Sequence, residues 1–341
     1  MSGNRKTLFI DRYGAVLGAK EGIFEVRVKE GNEWKVLAQV PFSLVESIVV
    51  AVDGVSITAA AVKLAGMYGI DLCFIFSNRP VARLVPATYG GSMELWVKQI
   101  RQSLNKARRA EIAKSIVEGK INNQKVILKT FMKSYLVTGK EVPEVREAIT
   151  QLEDEITKVK NVSDWKEAGR IEANAAYIYW KAVKELIPKK LGFTRRLKKW
   201  DLKPGEKPDP INAALNVGYA VLAKEVWKAV FAVGLNPYIG FLHARRPGRV
   251  SLVYDLMEEF RPVVVDRIVI KKARNEPQEL IKLNSDQEEV RREAVKALWR
   301  DINEWLKTSK PPLANIITHQ ARKFAKAIRE GSAYIPFKAK W

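Results

Sequence analysis

The stretch INAALNVGYAVLAKEVWKAVFAV, residues 211–233, predicts the architecture of the larger part of this chain. Its apolar side chains cover most faces of a helix, and a helix of that kind lies inside a protein rather than on its surface. Asp209 followed by Pro210 is a typical helix start, and Gly234 is a typical end. We therefore expect a central buried helix with other helices packed around it.

Helical periodicity continues on both sides of this segment. From Glu94 onward, apolar residues recur at helical spacing nearly everywhere, including the stretches near 286–308 and 312–330, and strand patterns are few. A series of such helices around a buried one is typical of a helical bundle. Residues 94–341 are therefore predicted to form an all-α-helical domain.

Residues 1–87 follow a different pattern. TLFI, AVLGA, IFEVRV and WKVLAQV alternate with period two between turn sequences, and IDLCFIF and VARLVPA follow after a short helical pattern. TYGGSM, residues 88–93, has the composition of a linker. We predict an α+β protein with an N-terminal antiparallel β-strand domain (1–87), a linker (88–93) and a larger all-α-helical domain (94–341).

The net charge of +21 is unevenly distributed over the 341 residues. Residues 1–90 hold 10 Lys and Arg against 8 Asp and Glu, whereas residues 91–341 hold 49 against 30. A large positive excess favours a polyanionic partner, and nucleic acid is the obvious one. We expect the second domain to bind DNA and the first, which is near charge balance, to bind protein.

Several other classes of protein are disfavoured. Cys73 is the single cysteine, so one chain cannot hold a disulfide framework or a cysteine zinc site, and a reducing compartment is expected. The N-terminus lacks the apolar run of a signal peptide, and no apolar segment approaches the ~18 residues of a membrane span. The expected location is the cytoplasm, with no membrane partner.

The candidate site follows the central helix, in NPYIGFLHARRPGRVSLVYDLMEEFRP, residues 236–262. His243 precedes a predicted helix that is capped by Ser251 and ended by Pro262. The acids on one face of this helix are Asp255, Glu258 and Glu259. One imidazole nitrogen and several carboxylate oxygens suit a divalent metal ion, although a lone histidine is often structural and helical acids often form a solvated face.

Two further groups of charged residues are candidates for the same site. The basic turn ARRPGR carries Arg245, Arg246 and Arg249, which either neutralise carboxylates or, beside a metal ion, hold phosphates. Glu172 lies in the apolar stripe of a helix that starts near Ser163. A buried carboxylate must protonate, pair with a cation or bind a metal ion.

Four segments of the chain resemble a known family. GLNPYIGFLHARRPGRVSLVYDLMEEFRPVVVDR (234–267) resembles the signature of the CRISPR-associated protein one family, whose members insert spacers into CRISPR arrays. Three other segments are similar to further parts of that family, in the same order along the chain: KINNQKVIL (120–128), EANAAYIYW (172–180) and KPDPINAALNVGYAVL (207–222). The resemblance therefore covers almost the whole chain.

The resemblance implies which residues form an active site. The positions that match the family's metal ligands are Glu172, His243 and Glu258. Asp255, one turn before Glu258, is a neighbouring acid expected outside the ligand set or at a second ion. The chain departs from the family at Ala173, which is usually glycine, and at Tyr177, which is often basic. These departures leave the ligands intact but change the packing and the DNA contact expected beside them.

Two carboxylates and one imidazole without a thiolate favour Mg²⁺ or Mn²⁺, which can activate a hydroxyl and stabilise phosphoryl charge. The resemblance implies a DNA 3′-hydroxyl as nucleophile in integration, with water as nucleophile in cleavage. It also implies a homodimer built through the N-terminal domain and a small ferredoxin-like companion protein. Two other functions stay open at this point: a non-catalytic basic nucleic-acid-binding protein and a metal-dependent DNA repair nuclease.

Overall fold

The computed structural model describes residues 6–76, 79–85, 91–137, 139–197 and 201–340. Strands occupy the N-terminal part and helices dominate the rest, so the predicted α+β class is confirmed. Of the predicted linker, residues 88–90 lie outside the described residues, and residues 91–93 form the first turn of a helix. Within the described ranges, none of the helices has the length and apolar content that a membrane span needs.

The described strands form two four-stranded sheets. In chain order they are β1 (Lys6–Ile10), β2 (Val16–Lys20), β3 (Ile23–Glu30), β4 (Glu33–Pro41), β5 (Val45–Val50), β6 (Ser56–Ile57), β7 (Asp71–Phe76) and β8 (Arg79–Leu84). One sheet has the strand order β1-β5-β7-β8, and the other has the order β4-β3-β2-β6. Leu17 and Phe24 from one sheet and Ile48 from the other lie in a small shared core.

Both sheets are mixed rather than wholly antiparallel, which corrects one detail of the prediction. The pairs β2–β3 and β3–β4 are antiparallel, as their short turn sequences require. β1, β5 and β7 are parallel to one another, because the β2–β4 meander and the helix α1 (Ala59–Met67) serve as crossovers between them. Period-two alternation identifies a strand but contains no information about the direction of its neighbour.

Helices build the second part of the protein. In chain order they are α2 (Gly91–Leu104), α3 (Lys106–Val137), α4 (Pro143–Lys160), α5 (Trp165–Leu186), α6 (Pro210–Ala232), α7 (Ser251–Met257), α8 (Arg267–Asn275), α9 (Pro277–Ile281), α10 (Glu288–Thr308) and α11 (Leu313–Glu330). The helices α3, α4 and α5 pack on one another, and α6 is surrounded by α7, α10 and α11. One large apolar core joins these helices.

The central helix is α6, as predicted, and it connects the sheets to the candidate site. Asp209 caps it by accepting two backbone N–H groups of its first turn, each at 3.0 Å. At its other end, the Ser47 hydroxyl of β5 donates to the Ala232 carbonyl at 2.8 Å. The Arg83 guanidinium of β8 donates to the Phe231 carbonyl. The loop that leaves this end of α6 is therefore tied to the first sheet.

The helix predicted between Ser251 and Pro262 differs in how it begins and ends. Ser251 is its first residue, and its hydroxyl donates to the Ala244 carbonyl at 3.1 Å instead of capping. The helix α7 ends at Met257, yet Pro262 lies at the start of a π-helical turn, Arg261–Asp266, that leads directly into α8. Proline lacks only an N–H that the first residues of a helical turn leave unbonded, so the chain stays helical here.

Candidate active site

Side chains from four segments of the chain meet at the end of α7. Lys120 comes from α3, Glu172 from α5, and His243 from the loop between α6 and α7. Asp255 lies in α7, and Glu258 follows its last residue. The structure thus brings together four residues that the sequence singled out and one, Lys120, that it did not.

Asp255 is fully buried and fixes the loop that carries the histidine. Its two carboxylate oxygens accept the backbone N–H groups of residues 241–243 at distances of 2.5–3.0 Å. Gly240 precedes these residues, and a Cβ atom there would lie 2.8 Å from Asp255 Oδ2. Because real Cβ atoms do not approach so closely, only glycine permits this arrangement. The carboxylate and the glycine together determine the conformation of the loop.

The His243 ring lies between two carboxylates. Its Nδ1 atom is 2.7 Å from Asp255 Oδ1, and its Nε2 atom is 4.0 Å from Glu258 Oε1. Because Asp255 can only accept, the neutral ring carries its proton on Nδ1 and presents a free lone pair on Nε2. Burial alone would lower the pKa of His243, but the hydrogen bond and charge of Asp255 outweigh it and raise that pKa.

Lys120 joins the two glutamates. Its ammonium group donates to Glu172 Oε1 and lies 2.6 Å from Glu258 Oε2. The Lys120 side chain is 9% exposed and that of Glu172 is 25% exposed. Burial would lower the pKa of Lys120, yet the charges of Glu172 and Glu258 raise it overall, so the ammonium keeps its proton. The sequence predicted that Glu172 would protonate, pair with a cation or bind a metal ion. In this structure it pairs with a cation.

Glu258 is surrounded by basic groups. Besides Lys120, the Arg261 Nε atom lies 3.1 Å from Glu258 Oε1, and the Arg261 guanidinium stacks 4.5 Å from the centre of the Tyr219 ring. Burial would raise the pKa of Glu258, but the charges of Arg261, Lys120 and His243 outweigh it and lower that pKa. The Lys120 ammonium lies 2.6 Å from the other carboxylate oxygen, Oε2. Glu258 therefore remains an anion.

Glu259 does not belong to this cluster, which corrects the expectation that it shares a face with the other acids. Its carboxylate turns towards residues 331–340, where the Tyr334 hydroxyl and the Phe337 N–H each donate to it at 2.6 Å. Burial raises the pKa of Glu259 to about 8, against the smaller opposing effect of these hydrogen bonds. Asn123 of α3 also holds this segment, because its Oδ1 accepts the Ala339 N–H at 2.8 Å.

The basic turn lies next to the histidine. Arg245 and Arg246 are exposed, and Arg249 is half-buried with its guanidinium 5.5 Å from the centre of the Tyr254 ring. The Arg249 N–H closes the turn by donating to the Arg246 carbonyl at 3.0 Å, and Gly248 supplies the positive φ of +73° that the turn needs. The exposed guanidinium groups of Arg245 and Arg246 can therefore reach a ligand outside the loop.

The donor set fits a hard divalent cation. Glu172, Glu258 and Nε2 of His243 could hold Mg²⁺ or Mn²⁺, since these ions accept carboxylate oxygens and tolerate an imidazole. Among the described residues, no three His, Cys, Asp or Glu side chains are gathered closely enough to form a ready metal cluster. In this structure the Lys120 ammonium lies between the two glutamates.

Together these observations define an α+β protein whose basic helical domain brings two glutamates, a histidine and a lysine together at the end of α7. Residues 8–296 match the family described as CRISPR associated protein Cas1. The chain belongs to the Cas1 family.

Relatives with curated names agree with this membership. The chain is 38% identical to "CRISPR-associated endonuclease Cas1 1" of Saccharolobus solfataricus, over 99% of this chain and 85% of that protein. It is 35% identical to "CRISPR-associated endonuclease Cas1" of Korarchaeum cryptofilum, over 78% of this chain and 77% of that protein.

Solved structures share the fold at lower identity. A casposase bound to an integration product superposes with a TM-score of 0.77 at 21% identity, covering 98% of both chains. A Cas1 protein from Thermotoga maritima superposes with a TM-score of 0.73 at 20% identity, covering 96% of this chain and 97% of that chain. The strand region followed by a helical domain is thus the architecture of these proteins as well.

Proposed function

We propose that this Cas1-family protein is a metal-dependent DNA endonuclease and integrase that inserts foreign-DNA fragments into a CRISPR array by transesterification. The observation that carries the proposal is the meeting of Glu172, His243 and Glu258 in one small, partly buried region. The printed names of the relatives, which are endonucleases, and of the casposase bound to an integration product support the same chemistry.

Mg²⁺ or Mn²⁺ held by Glu172, Glu258 and His243 would lower the pKa of an attacking hydroxyl and stabilise charge on phosphoryl oxygens. The chain's own residues prepare these ligands. Asp255 orients the His243 ring and keeps the proton on Nδ1, so that Nε2 faces the ligand. Arg261 keeps Glu258 ionised by its charge.

The proposed reaction exchanges one phosphodiester for another. The 3′-hydroxyl oxygen of a DNA fragment attacks a phosphorus atom of the array, and the bond from that phosphorus to the neighbouring 3′ oxygen breaks. The departing strand leaves with a new 3′-hydroxyl. The number of phosphodiester bonds is unchanged, so no nucleotide cofactor is required. With water as the nucleophile, the same residues would cleave DNA.

The basic turn is the proposed contact for the DNA backbone near the reacting phosphate. Arg245 and Arg246 are exposed beside His243, and guanidinium groups bind phosphate oxygens in a bidentate manner. The excess of positive charge in residues 91–341 would supply most of the affinity independently of DNA sequence. Binding and chemistry therefore depend on different residues of the same domain.

Strand-transfer and cleavage assays on a supercoiled array plasmid test the proposal. The wild type, Glu172→Gln and the control Glu153→Gln, an exposed glutamate on α4, are compared with Mn²⁺ and with EDTA. Metal-dependent joining that is lost only in Glu172→Gln supports the proposal. Full DNA binding without joining or cleavage by the wild type would favour a non-catalytic binding protein. Cleavage without joining would favour a repair nuclease.

We also propose that the functional unit is a homodimer built through the N-terminal sheets, assembled with a small ferredoxin-like companion protein. Strand β4 lies at the edge of its sheet and exposes Trp34, Val36 and Leu37, and edges of this kind are rarely left unpaired. A related chain of 18% identity has been solved in a "Partial Cas6-RT-Cas1--Cas2 complex", which supports a companion protein. Joining a fragment at both ends needs two sites, which a dimer supplies.

Sedimentation of the full-length chain tests the dimer. A dimer at micromolar concentration that becomes a monomer in Trp34→Lys supports the proposed interface, and the exposed Lys35→Ala on the same strand serves as the control. A monomeric wild type would contradict the dimer. A Trp34→Lys variant that remains dimeric would place the interface elsewhere.

A further inference from the structure

Lys120 is a buried cation in contact with two carboxylates from different elements. Its ammonium contacts Glu172 Oε1 and lies 2.6 Å from Glu258 Oε2, whereas the Arg261 Nε atom lies beside the other oxygen, Glu258 Oε1. We infer that Lys120 is an internal counter-ion that holds Glu172 and Glu258 together in the metal-free protein, and that a divalent ion must displace its ammonium in order to bind. This inference rests on the proposed metal-dependent function.

Geometry limits what such a lysine can do. Its backbone cannot withdraw from the site, because one helical turn later Asn123 Nδ2 donates to the Glu259 carbonyl at 2.7 Å and to the Phe337 carbonyl at 3.0 Å. The side chain, however, carries its charge on a flexible four-carbon stem. Lys120 can therefore leave the carboxylates by rotation of its side chain while α3 stays in place.

The second cation beside Glu258 has a different role. The Arg261 Nε atom lies 3.1 Å from Glu258 Oε1, and its guanidinium is packed 4.5 Å from the centre of the Tyr219 ring. The cation that lies within ion-pair distance of both glutamates is Lys120. Arg261 can therefore stay bound to Glu258 when a metal ion enters, and the exchange concerns the lysine alone.

If a metal ion replaces the Lys120 ammonium, loss of this lysine should have effects that differ from those of losing a purely structural lysine. Without Lys120, the Glu172 carboxylate loses its counter-ion and repels the nearby Glu258 carboxylate at low dielectric, so loss of Lys120 should destabilise the metal-free protein. The same loss removes a positive charge that competes with the metal ion for both carboxylates. Metal affinity should therefore rise in a variant whose metal-free stability falls. A lysine that only supports packing would lower both or change neither.

Titration calorimetry with Mn²⁺ on metal-stripped full-length protein tests the inference, with thermal unfolding in EDTA and in Mn²⁺ as a second readout. We expect Lys120→Met to bind Mn²⁺ at least tenfold more tightly than the wild type, and to unfold at a lower temperature in EDTA but to recover in Mn²⁺. Lys129→Met is the matched control, because Lys129 lies on the same helix and pairs with the exposed Glu153 at 3.4 Å. It should leave Mn²⁺ affinity unchanged.

The outcomes separate this inference from the proposed function. Equal or weaker Mn²⁺ binding in Lys120→Met, with normal binding by the wild type, would overturn the inference and leave the metal site intact. An absence of Mn²⁺ binding in the wild type and in Lys120→Met alike would contradict the proposed function itself. Should Lys120→Met fail to fold, Lys120→Gln keeps a polar contact without the charge. Failure of both to fold even in Mn²⁺ would also overturn the inference, because a metal ion would then not replace the ammonium.

Discussion

Glu258 and Glu259 are adjacent in the chain, and both are buried, yet the protein treats their carboxyl groups in opposite ways. Glu258 faces Lys120, Arg261 and His243, and these cations lower its pKa in spite of burial. Glu259 faces a tyrosine hydroxyl and a backbone N–H, which are neutral, and burial raises its pKa to about 8. The difference shows that counter-ions, not burial, decide which of the two acids stays ionised.

Glu258 and Glu259 also differ in which parts of the chain supply their partners. The partners of Glu258 reach it from α3, from the loop before α7 and from the π-helical turn, and all of them carry or can carry charge. The partners of Glu259 belong to residues 331–340, which pack behind the site. The surroundings of Glu258 allow one cation to replace another, whereas those of Glu259 stabilise the fold. A glutamate-to-glutamine substitution, which keeps the size of the side chain but removes its charge, should therefore have different effects at the two positions.

The largest expected effect is on the chemistry. Glu258→Gln should lower DNA cleavage and strand transfer by at least ~10³-fold, because it removes an anionic ligand from the proposed metal site. Glu259→Gln should retain most activity, because the carboxyl group of Glu259 is already largely neutral at pH 7. Single-turnover assays in Mn²⁺ would measure both. Similar losses of activity in Glu258→Gln and Glu259→Gln would contradict the different roles assigned to these two residues.

The next effect is on stability as a function of pH. The pKa of Glu259 is raised to about 8 in the folded protein, above its ordinary value of 4.5. Its contribution to stability is therefore fully present below the ordinary value and is lost as the pH rises through 8. Between pH 5 and pH 9 the wild type should lose about a few kcal/mol of unfolding free energy relative to Glu259→Gln.

Urea unfolding of the wild type and of Glu259→Gln at several pH values would measure this difference. The subtraction removes contributions of other titrating groups, such as the buried Asp266, whose pKa is raised to about 6 by burial. A wild type that gains unfolding free energy relative to Glu259→Gln as the pH rises would contradict the predicted sign. A constant difference would show that Glu259 does not titrate in this range.

A third prediction concerns Asp255, which contacts both the loop backbone and the imidazole. Asp255→Asn should reduce Mn²⁺ affinity and cleavage by roughly 10–100-fold, because an amide cannot accept three N–H groups and the His243 Nδ1 proton as the carboxylate does. Calorimetry and cleavage assays would measure the two losses. Asp154→Asn, an exposed acid on α4, is the control. Unchanged metal affinity would show that the ring needs no such support.

The smallest effect is expected on the exposed side of the site. Arg245→Ala combined with Arg246→Ala should weaken DNA binding several-fold and reduce the slope of log affinity against log salt, which is about 0.9 per phosphate contact. The control is Lys20→Ala combined with Lys29→Ala, which removes the same charge from the near-neutral N-terminal part. It should change neither the DNA affinity nor the salt dependence. Anisotropy titrations at several salt concentrations would compare them. Equal slopes for both double variants would remove the basic turn from the DNA contact.

Local patterns in the sequence predicted much of this molecule. The apolar faces and the Asp209-Pro210 start gave α6 nearly to the residue, and the stretches near 286–308 and 312–330 correspond to α10 and α11. Period-two alternation located β1 to β4, and the stretches IDLCFIF and VARLVPA located β7 and β8, whereas β5 and β6 were not singled out. Helical spacing and the family resemblance located the acids and the histidine. All of these signals depend on residues that are near one another in the chain.

Features that depend on distant partners were missed. The parallel pairing of β1, β5 and β7 depends on crossovers, and the turn of Glu259 away from the site depends on residues far downstream. Lys120 left one local signal, because it lies between Val117 and Gln124 on the buried face of α3. Glu172 was singled out by the same signal, a charged residue within an apolar helix face. A lysine and a glutamate that each interrupt an apolar helix face are candidates for an ion pair with each other. Applying this rule to the sequence would have identified Lys120 as a partner of Glu172.

The contact between Glu259 and Phe337 joins residues that are 78 positions apart. A ribosome that adds 5–20 residues per second needs about 4–16 s to cover that distance. During this interval Glu259 and Asn123 lack the partners that residues 331–340 later supply, while the N-terminal sheets already have all of their strands. The order of synthesis therefore separates the two parts of the protein in time: the surface proposed for dimerisation can form first, and the region behind the candidate site closes last.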